Sequence, residues 1–239
     1  MRNMSRIWTV LVAGVSLGIT LLWAVPARAD LLTNTGITWS AFTNLVDEDN
    51  PVDFLLSDYN FGGGDTEGVV FSIVFPGEGA ASGLYAYVYQ IKVKADPAIK
   101  GISIPFITYP VTVNNMNSFY ISSDQPDTIG FGQGSVRPTN LGLTYPGGAV
   151  YDPYQKTLTF NFTDDEGNAT LSPPYPKVSM LVGVFSPLPP TIDKSNMLDT
   201  GDEASAEVLV PSPEPSMKVL FGCGLMGMVG TIFRRRRKA

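Results

Sequence analysis

The sequence predicts an all-β fold, a single antiparallel β-sandwich of the jelly-roll or immunoglobulin-like kind, flanked by an N-terminal signal helix and a C-terminal transmembrane helix. Short runs rich in β-branched and aromatic residues recur between turn residues, in a chain of 239 residues with 24 glycines and 19 prolines. The roughly eight or nine runs lack helical periodicity and have the spacing typical of sandwiches.

The clearest predicted strand covers residues 84–94. Its alternation places Tyr85, Tyr87 and Tyr89 on one face and Ala86 and Val88 on the other. The other predicted strands are residues 36–44, 52–59 (ambiguous), 69–75, 99–107, 111–115, 118–122 and 177–186, with a hairpin formed by 157–162 and 169–171.

Composition divides the chain into four segments. We predict a signal peptide at residues 1–29, the β-sandwich domain at 30–190, an acidic, proline-containing tether or one last strand at 191–210, and a sorting signal at 211–239. The signal peptide is indicated by a positive start, an apolar run and a small-x-small cleavage site, Ala27 to Ala29, before Asp30. An uncleaved N-terminal anchor is the less favoured alternative.

The last segment has three features in order. The motif Pro213-Glu214-Pro215 comes first, and we expect Pro211, Pro213 and Pro215 to hold the backbone extended, because proline disfavours both helices and sheet hydrogen-bond ladders. The apolar run 217–233 would form a transmembrane helix about 25 Å long. A basic cap ends the chain with Arg234, Arg235, Arg236, Arg237 and Lys238. Such a cap stays on the cytoplasmic side, so everything before the helix is expected to be exported.

This three-part tail resembles the PEP-CTERM sorting signal of exported bacterial proteins. The resemblance implies an exosortase as partner, a membrane cysteine protease-transpeptidase acting near residues 213–215, and transient residence in the inner membrane. An ordinary C-terminal anchor is the alternative, but an anchor needs no Pro-Glu-Pro. A Leu-Pro-x-Thr-Gly sortase motif is absent from the sequence, and a GPI-type tail would lack the basic cap.

Two further strings resemble strands of uncharacterised PEP-CTERM proteins. They are residues 83–91 (GLYAYVYQI) and the Ser-Pro-Leu-Pro-Pro at 186–190 that follows the last predicted strand. This second resemblance implies an exported β-sandwich group with no known catalysis.

Charge is distributed unevenly along the chain. Between Asp30 and Glu214 lie all 22 acidic residues but only seven of the 16 basic ones, so this region carries a net charge of −15. An acidic surface of this kind repels nucleic-acid phosphates and anionic lipid headgroups, so we expect no nucleic-acid partner.

Candidate catalytic chemistry is sparse. The sequence contains no histidine, and its one cysteine, Cys223, lies in the apolar tail. Triads with a histidine base and the usual zinc sites are therefore excluded. Paired carboxylates would suffice for a glycosidase, but no pair is distinguished by its spacing. We expect no enzymatic activity, with a histidine-free glycoside hydrolase as an alternative.

Two acidic clusters raise a calcium hypothesis, because calcium prefers clustered carboxylates and carbonyls on turns. The candidate ligands are Asp47, Asp49, Asp53, Asp164, Asp165 and Glu166. Neither cluster has EF-hand spacing, and turns favour Asp, Gly and Asn for backbone reasons alone. We expect no cofactor, with calcium as the alternative.

Aromatic residues suggest a carbohydrate-binding module as a second interpretation. We expect Tyr145, Tyr151 and Tyr154 to be exposed, since they lie among prolines and glycines. The tyrosine row at 85–89 is expected to pack across strands instead. The favoured function is an exported, non-catalytic protein of the cell surface or extracellular matrix, associated with exopolysaccharide.

Overall fold

The computed structural model describes residues 29–62, 67–94, 98–123, 146–171, 177–198 and 203–212. These residues form two packed β-sheets, which confirms the predicted all-β, sandwich-like architecture. The six-stranded sheet has the order β1 (Asp30–Leu32), β8 (Gly148–Asp152), β9 (Thr157–Asn161), β6 (Gly101–Pro105), β12 (Pro190–Leu198) and β13 (Glu203–Pro211).

The seven-stranded sheet contains the strands that the sequence marks most clearly. Its order is β2 (Asn34–Thr38), β7 (Ser118–Ser123), β11 (Val182–Ser186), β5 (Tyr85–Val93), β4 (Gly68–Pro76) and β3 (Asp53–Tyr59), with β10 (Lys177–Val178) also paired to β5. β2 and β7 are parallel, and the other strand pairs of both sheets are antiparallel.

Strand β5 confirms the predicted alternation. Tyr87 and Tyr89 point into the core between the sheets, while Ala86 and Val88 belong to a second core on the other side. The ring of Tyr87 meets that of Phe106 edge to face, with centroids 5.7 Å apart. β5 is therefore a central strand buried on both faces, and its tyrosine row packs as predicted.

A short helix, α1 (Trp39–Thr43), covers part of the outer face of the seven-stranded sheet. The sequence predicted a strand through residue 44, which is wrong from Trp39 onward. The physical reason is a cap: the Thr38 hydroxyl accepts the Ala41 N–H at 3.1 Å and starts a helical turn. That turn places Phe42 against Phe119, with ring centroids 5.3 Å apart.

The segment predicted as one strand at 177–186 is divided by a β-bulge. Val178 pairs with Lys92 and Val182 pairs with Tyr89, so this segment holds one residue more than its partner. Ser179 stabilises the break, because its backbone N–H donates to the Ile91 carbonyl and its hydroxyl accepts the Ile91 N–H.

Two predicted strands prove to be turns or short bridges. Residues 111–115 include a tight two-residue turn, in which Asn114 and Asn115 have φ of 49° and 65° and Val113 bridges Met116. In the predicted hairpin, β9 is followed by a Thr163–Ala169 bridge. The chain therefore turns back at 164–168, as expected.

Residues 191–210, predicted as a tether or one last strand, do not form a tether, and the strand alternative is the better prediction. Residues 190–198 and 203–211 form the strands β12 and β13, paired with each other, and β12 also pairs with β6. The sequence signal for β13 is an alternation of small apolar and polar residues, which the polar composition of the segment obscures. Ala204, Ala206 and Val208 all point into the core. The domain boundary therefore lies at about residue 211 rather than 190.

Side chains of the seven-stranded sheet hold the free edge of β13. The hydroxyl of Ser57 accepts the Glu207 N–H at 2.9 Å, and that of Ser72 accepts the Leu209 N–H at 3.1 Å. The buried Tyr89 hydroxyl donates to the Leu209 carbonyl at 2.8 Å. The C-terminal strand is thus integrated into the core through its backbone.

The predicted signal peptide (except Ala29), the transmembrane helix at 217–233 and the basic cap lie outside the described residues. No helix in the described part of the chain has the length and apolar composition needed to cross a membrane.

Candidate functional site: a polar groove on the six-stranded sheet

Strand register assembles a row of side chains across the outer face of the six-stranded sheet. Each member pairs directly with its neighbour on the next strand, so the row crosses all six strands. In order from β1 to β13 it consists of Leu31, Val150, Thr159, Ser103, Asn196 and Ser205. The last four members of this row, Thr159, Ser103, Asn196 and Ser205, carry hydroxyl or amide groups. The centre of this face is therefore polar and uncharged.

The same face forms a groove with a volume of about 440 Å³. Its lining consists of Ala29, Ser103, Val150, Asp152, Gln155, Thr157, Thr159, Asn161, Asn196 and Leu198. Thr157, Thr159 and Asn161 are half-buried although they lie on the outer side of β9. The groove is therefore a shallow depression in this face of the sheet, and these side chains line its floor.

Most of the polar lining is carried by two strands that pair through the groove floor. The Thr159 hydroxyl donates to the Ser103 hydroxyl at 3.3 Å, which links β9 to β6. Thr157 and Asn161 lie two residues to either side of Thr159 and so face the same way. These hydroxyl and amide groups both donate and accept hydrogen bonds, as the hydroxyls of a sugar do.

One carboxylate lies among the described lining residues. Oδ1 of Asp152 accepts the backbone N–H groups of Tyr154 at 2.8 Å and Gln155 at 3.0 Å. It therefore orders the β8–β9 turn. The other polar lining residues carry hydroxyl or amide groups, which can donate and accept hydrogen bonds.

The tyrosines expected to be exposed divide between surface and core. Tyr154 has 63% of its surface exposed, and it lies in the turn between Asp152 and Gln155 at the end of the groove. Tyr151 is buried at 4%, so its predicted exposure is wrong, because it faces the core on β8. Tyr145 lies outside the described residues.

The first acidic cluster is engaged by neighbouring polar groups. Both carboxylate oxygens of Asp47 accept from the Asn50 side-chain amide, at 3.1 and 3.0 Å. Asp53 accepts the Phe54 backbone N–H at 2.8 Å, and Glu48 accepts the indole N–H of Trp39. Asp49 is exposed beside them.

The second acidic cluster is organised by Asp164. Its carboxylate accepts the backbone N–H groups of Glu166 at 3.0 Å and Asn168 at 2.8 Å, and the Asn168 side-chain amide. These bonds, led by that of the Asn168 backbone, lower the pKa of Asp164. Asp165 and Glu166 lie at the exposed tip of the same turn. Turn chemistry therefore accounts for these acids.

No group of three acidic or cysteine side chains in the described ranges is arranged to hold a metal ion. Calcium binding at either cluster stays a prediction.

Of the predicted processing residues, Ala29 alone is described. It lines the groove and immediately precedes β1, whose first residue, Asp30, pairs with Tyr151. Ala27, Pro213, Glu214, Pro215 and the cap from Arg234 to Lys238 lie outside the described residues. Cleavage and sorting at these positions stay predictions.

Sequence reasoning missed the groove itself. Its signal was present in residues 157–161 (TLTFN), where Thr and Asn alternate with buried Leu and Phe. The missing information was the register, because β8 was not predicted and β12 was assigned to a tether. Hydroxyl and amide side chains more than 90 residues apart in sequence meet only once the strands are paired.

No protein-family model, curated protein sequence or solved structure matches this chain.

Proposed function

We propose that this chain is an exported, non-catalytic protein of the cell surface or extracellular matrix that associates with a neutral polysaccharide through its polar groove. The observation that carries the proposal is the composition of the groove floor. Ser103, Thr157, Thr159, Asn161 and Asn196 present hydroxyl and amide groups along three neighbouring strands. Such groups exchange hydrogen bonds with water for equivalent bonds with sugar hydroxyls.

Charge favours a neutral ligand over an acidic one. The region from Asp30 to Glu214 carries a net charge of −15, and the groove contains the carboxylate of Asp152. A polysaccharide rich in uronic acid would be repelled by both. The exposed Tyr154 lies in the same turn as the lining residues Asp152 and Gln155, and its ring is the exposed aromatic group nearest to them in sequence that could stack on a sugar ring.

The binding test uses the purified full chain with soluble neutral polysaccharides (dextran, a β-glucan and a galactomannan), and with alginate as the acidic comparison. Affinity electrophoresis should show retardation by at least one neutral polymer and none by alginate. Thr159→Val should weaken binding roughly 2- to 12-fold, the equivalent of one hydrogen bond.

Thr191→Val is the matched control, because Thr191 is an exposed threonine on β12 outside the groove. It should leave binding unchanged. Retardation by none of the neutral polymers, or equal losses in the two variants, would reject the groove as a polysaccharide site.

Export and sorting form the second part of the proposal. Its support is the ordered tail of Pro213-Glu214-Pro215, an apolar run and a basic cap, together with the signal-like residues 1–29. We expect an exosortase to process the tail, so mass spectrometry of the secreted protein should find a C-terminus near residue 215.

The variant Glu214→Ala should leave the protein in the membrane fraction. Glu207→Ala, the same change within the domain, should be secreted normally. A secreted protein that retains Arg234 to Lys238 would refute processing.

A further inference from the structure

We infer that two copies of this chain pair through strand β3, antiparallel and centred on Leu55, so that their seven-stranded sheets join into one continuous sheet. This inference is independent of the polysaccharide proposal, since β3 belongs to the other sheet. It rests on three observations: exposed apolar side chains on β3, backbone donors directed outward from its edge, and a self-complementary order of residues.

The outer face of β3 is apolar and exposed. Phe54 has 67% and Leu56 59% of its surface exposed, although they pair with the buried Ile73 and Phe71 of β4. Val52, just before the strand, is 46% exposed. Contiguous exposed apolar residues of this kind mark interaction surfaces.

The edge of β3 directs backbone donors away from β4. The Phe54 N–H donates to the side chain of Asp53 on its own strand rather than to a carbonyl of β4. N–H groups two residues apart on a strand point the same way, so those of Leu56 and Asp58 are also directed outward. A long, apolar edge whose backbone donors point outward is the arrangement that pairs with another strand, and in such a pairing the Phe54 N–H would exchange the Asp53 carboxylate for a carbonyl of the partner strand.

β13 leaves this surface accessible. It contacts β3 through the Ser57 hydroxyl, which accepts the Glu207 N–H. Ser57 alternates with Leu56 along the strand and so lies on the inner face, the side on which Tyr59 enters the core. Among the described residues, β13 therefore leaves the outer face and the edge of β3 open to a partner.

The residue order selects a second copy and one register. With a two-fold axis at Leu55, Phe54 of each copy lies opposite Leu56 of the other, so the pair occurs twice. Asp53 of each copy lies opposite Ser57 of the other. If the partner strand is shifted by one residue, Asp53 lies opposite Asp58, which is a like-charge pair. The same shift also turns the partner's outer face inward. An axis at Leu56 sets Phe54 against Asp58, and one at Phe54 overlaps only the start of the strand.

A membrane surface fits this edge less well than a second copy. Asp53 and Asp58 flank the apolar pair on the strand, and the carboxylate of Asp58, which alternates onto the same face as that pair, would meet anionic headgroups. In the paired arrangement both aspartates stay at the ends of the shared strand region, in water.

Cysteine cross-linking tests the register in the full chain, with Cys223→Ser removing the native thiol. In the inferred pairing, position 54 lies directly opposite position 56, with Cα atoms about 5.5 Å apart, which a disulfide spans. Each position lies diagonally, about 7–8 Å, from its own copy. Mixing Phe54→Cys with Leu56→Cys chains should give a disulfide-linked dimer, and each variant alone should give little.

Equal cross-linking by the single variants alone would overturn the register. No cross-linking in the mixture, with a monomer by light scattering, would overturn the pairing.

A charge substitution tests the surface itself. In analytical ultracentrifugation of the full chain in mild detergent, Leu56→Lys should raise the dissociation constant of the dimer at least about tenfold, because it opposes a cation to Phe54. Ile192→Lys is the matched control, since Ile192 is also an exposed aliphatic residue, at 53%, but lies on β12.

Equal effects of the two lysines would overturn the inference. So would a loss of binding to phosphatidylcholine vesicles by Leu56→Lys without any change in self-association, because that result identifies a membrane as the occupant.

Discussion

Replacing Tyr89 by phenylalanine should destabilise the domain through one backbone carbonyl. The Tyr89 side chain is fully buried, and its hydroxyl donates to the Leu209 carbonyl at 2.8 Å. The Leu209 N–H is bound to Ser72 rather than to β12, so its carbonyl also points away from β12. Phenylalanine keeps the ring packing and removes the donor, which leaves that carbonyl buried and unpaired.

The expected loss follows from that geometry. An unsatisfied buried acceptor costs about 1–3 kcal/mol of folding free energy. In a domain of this size each kcal/mol corresponds to about 2–4 °C in Tm. We expect β13 to loosen first, because the side chains of Tyr89, Ser57 and Ser72 make hydrogen bonds from the opposite sheet to its backbone.

Urea unfolding followed by circular dichroism measures this loss, and hydrogen exchange at Leu209 and its neighbours locates it. Tyr109→Phe is the control, because Tyr109 is 46% exposed and should change stability by less than about 0.5 kcal/mol. Equal stability of the Tyr89→Phe variant and the wild type would refute the assignment of this hydroxyl as the partner of the Leu209 carbonyl.

Three further predictions concern pH, packing and metal binding. Burial raises the pKa of Tyr87 and Tyr89 above the ordinary value of 10.0, so their protons are held in the folded state and lost in the unfolded state. The contribution of these two tyrosines to stability should therefore be constant below about pH 10 and fall above it, and urea midpoints that stay level from pH 9 to pH 12 would contradict this. Gly183→Ala should lower the free energy of unfolding by about 1–3 kcal/mol, measured by urea unfolding, because the added Cβ would lie 2.6 Å from both the Tyr87 carbonyl oxygen and the Phe119 ring. Gly148→Ala is the control, because Gly148 has open space around it. If the turn at 164–168 binds calcium, isothermal titration should give heat at millimolar calcium that Asp164→Ala abolishes; no heat and no rise in Tm would end that hypothesis.

The sequence was most informative where a strand is buried on both faces or alternates strictly. Strand β5 was predicted within one residue at each end, and its tyrosine row packs in the core as expected. Strands β4 and β7 were likewise located, because β-branched and aromatic runs ended by turn residues are a local signal. Residues 52–59, which the sequence left ambiguous, contain strand β3.

Predictions failed where the local sequence pattern favoured one conformation and packing against distant residues favoured another. Residues 191–210 are polar enough to suggest a tether, yet they pair as two strands because the small apolar residues of β13 fill the core beneath β3 and β4. The strand predicted at 36–44 ends at Thr38 because a side-chain cap starts a helix that buries Phe42. Three-residue β1 gives too short a pattern to find from sequence.

By itself, the sequence determined the all-β fold class, the acidic character of the region between the two ends, the exclusion of histidine chemistry and the ordered tail on which the sorting proposal rests. These are properties of composition and of neighbouring residues. Only the tertiary structure decided that Thr159, Ser103 and Asn196 share one groove floor, and that Phe54 and Leu56 remain exposed on an edge strand. The reason is register: which side chains meet depends on how distant strands pair, and a shift of one residue would turn each of these faces over.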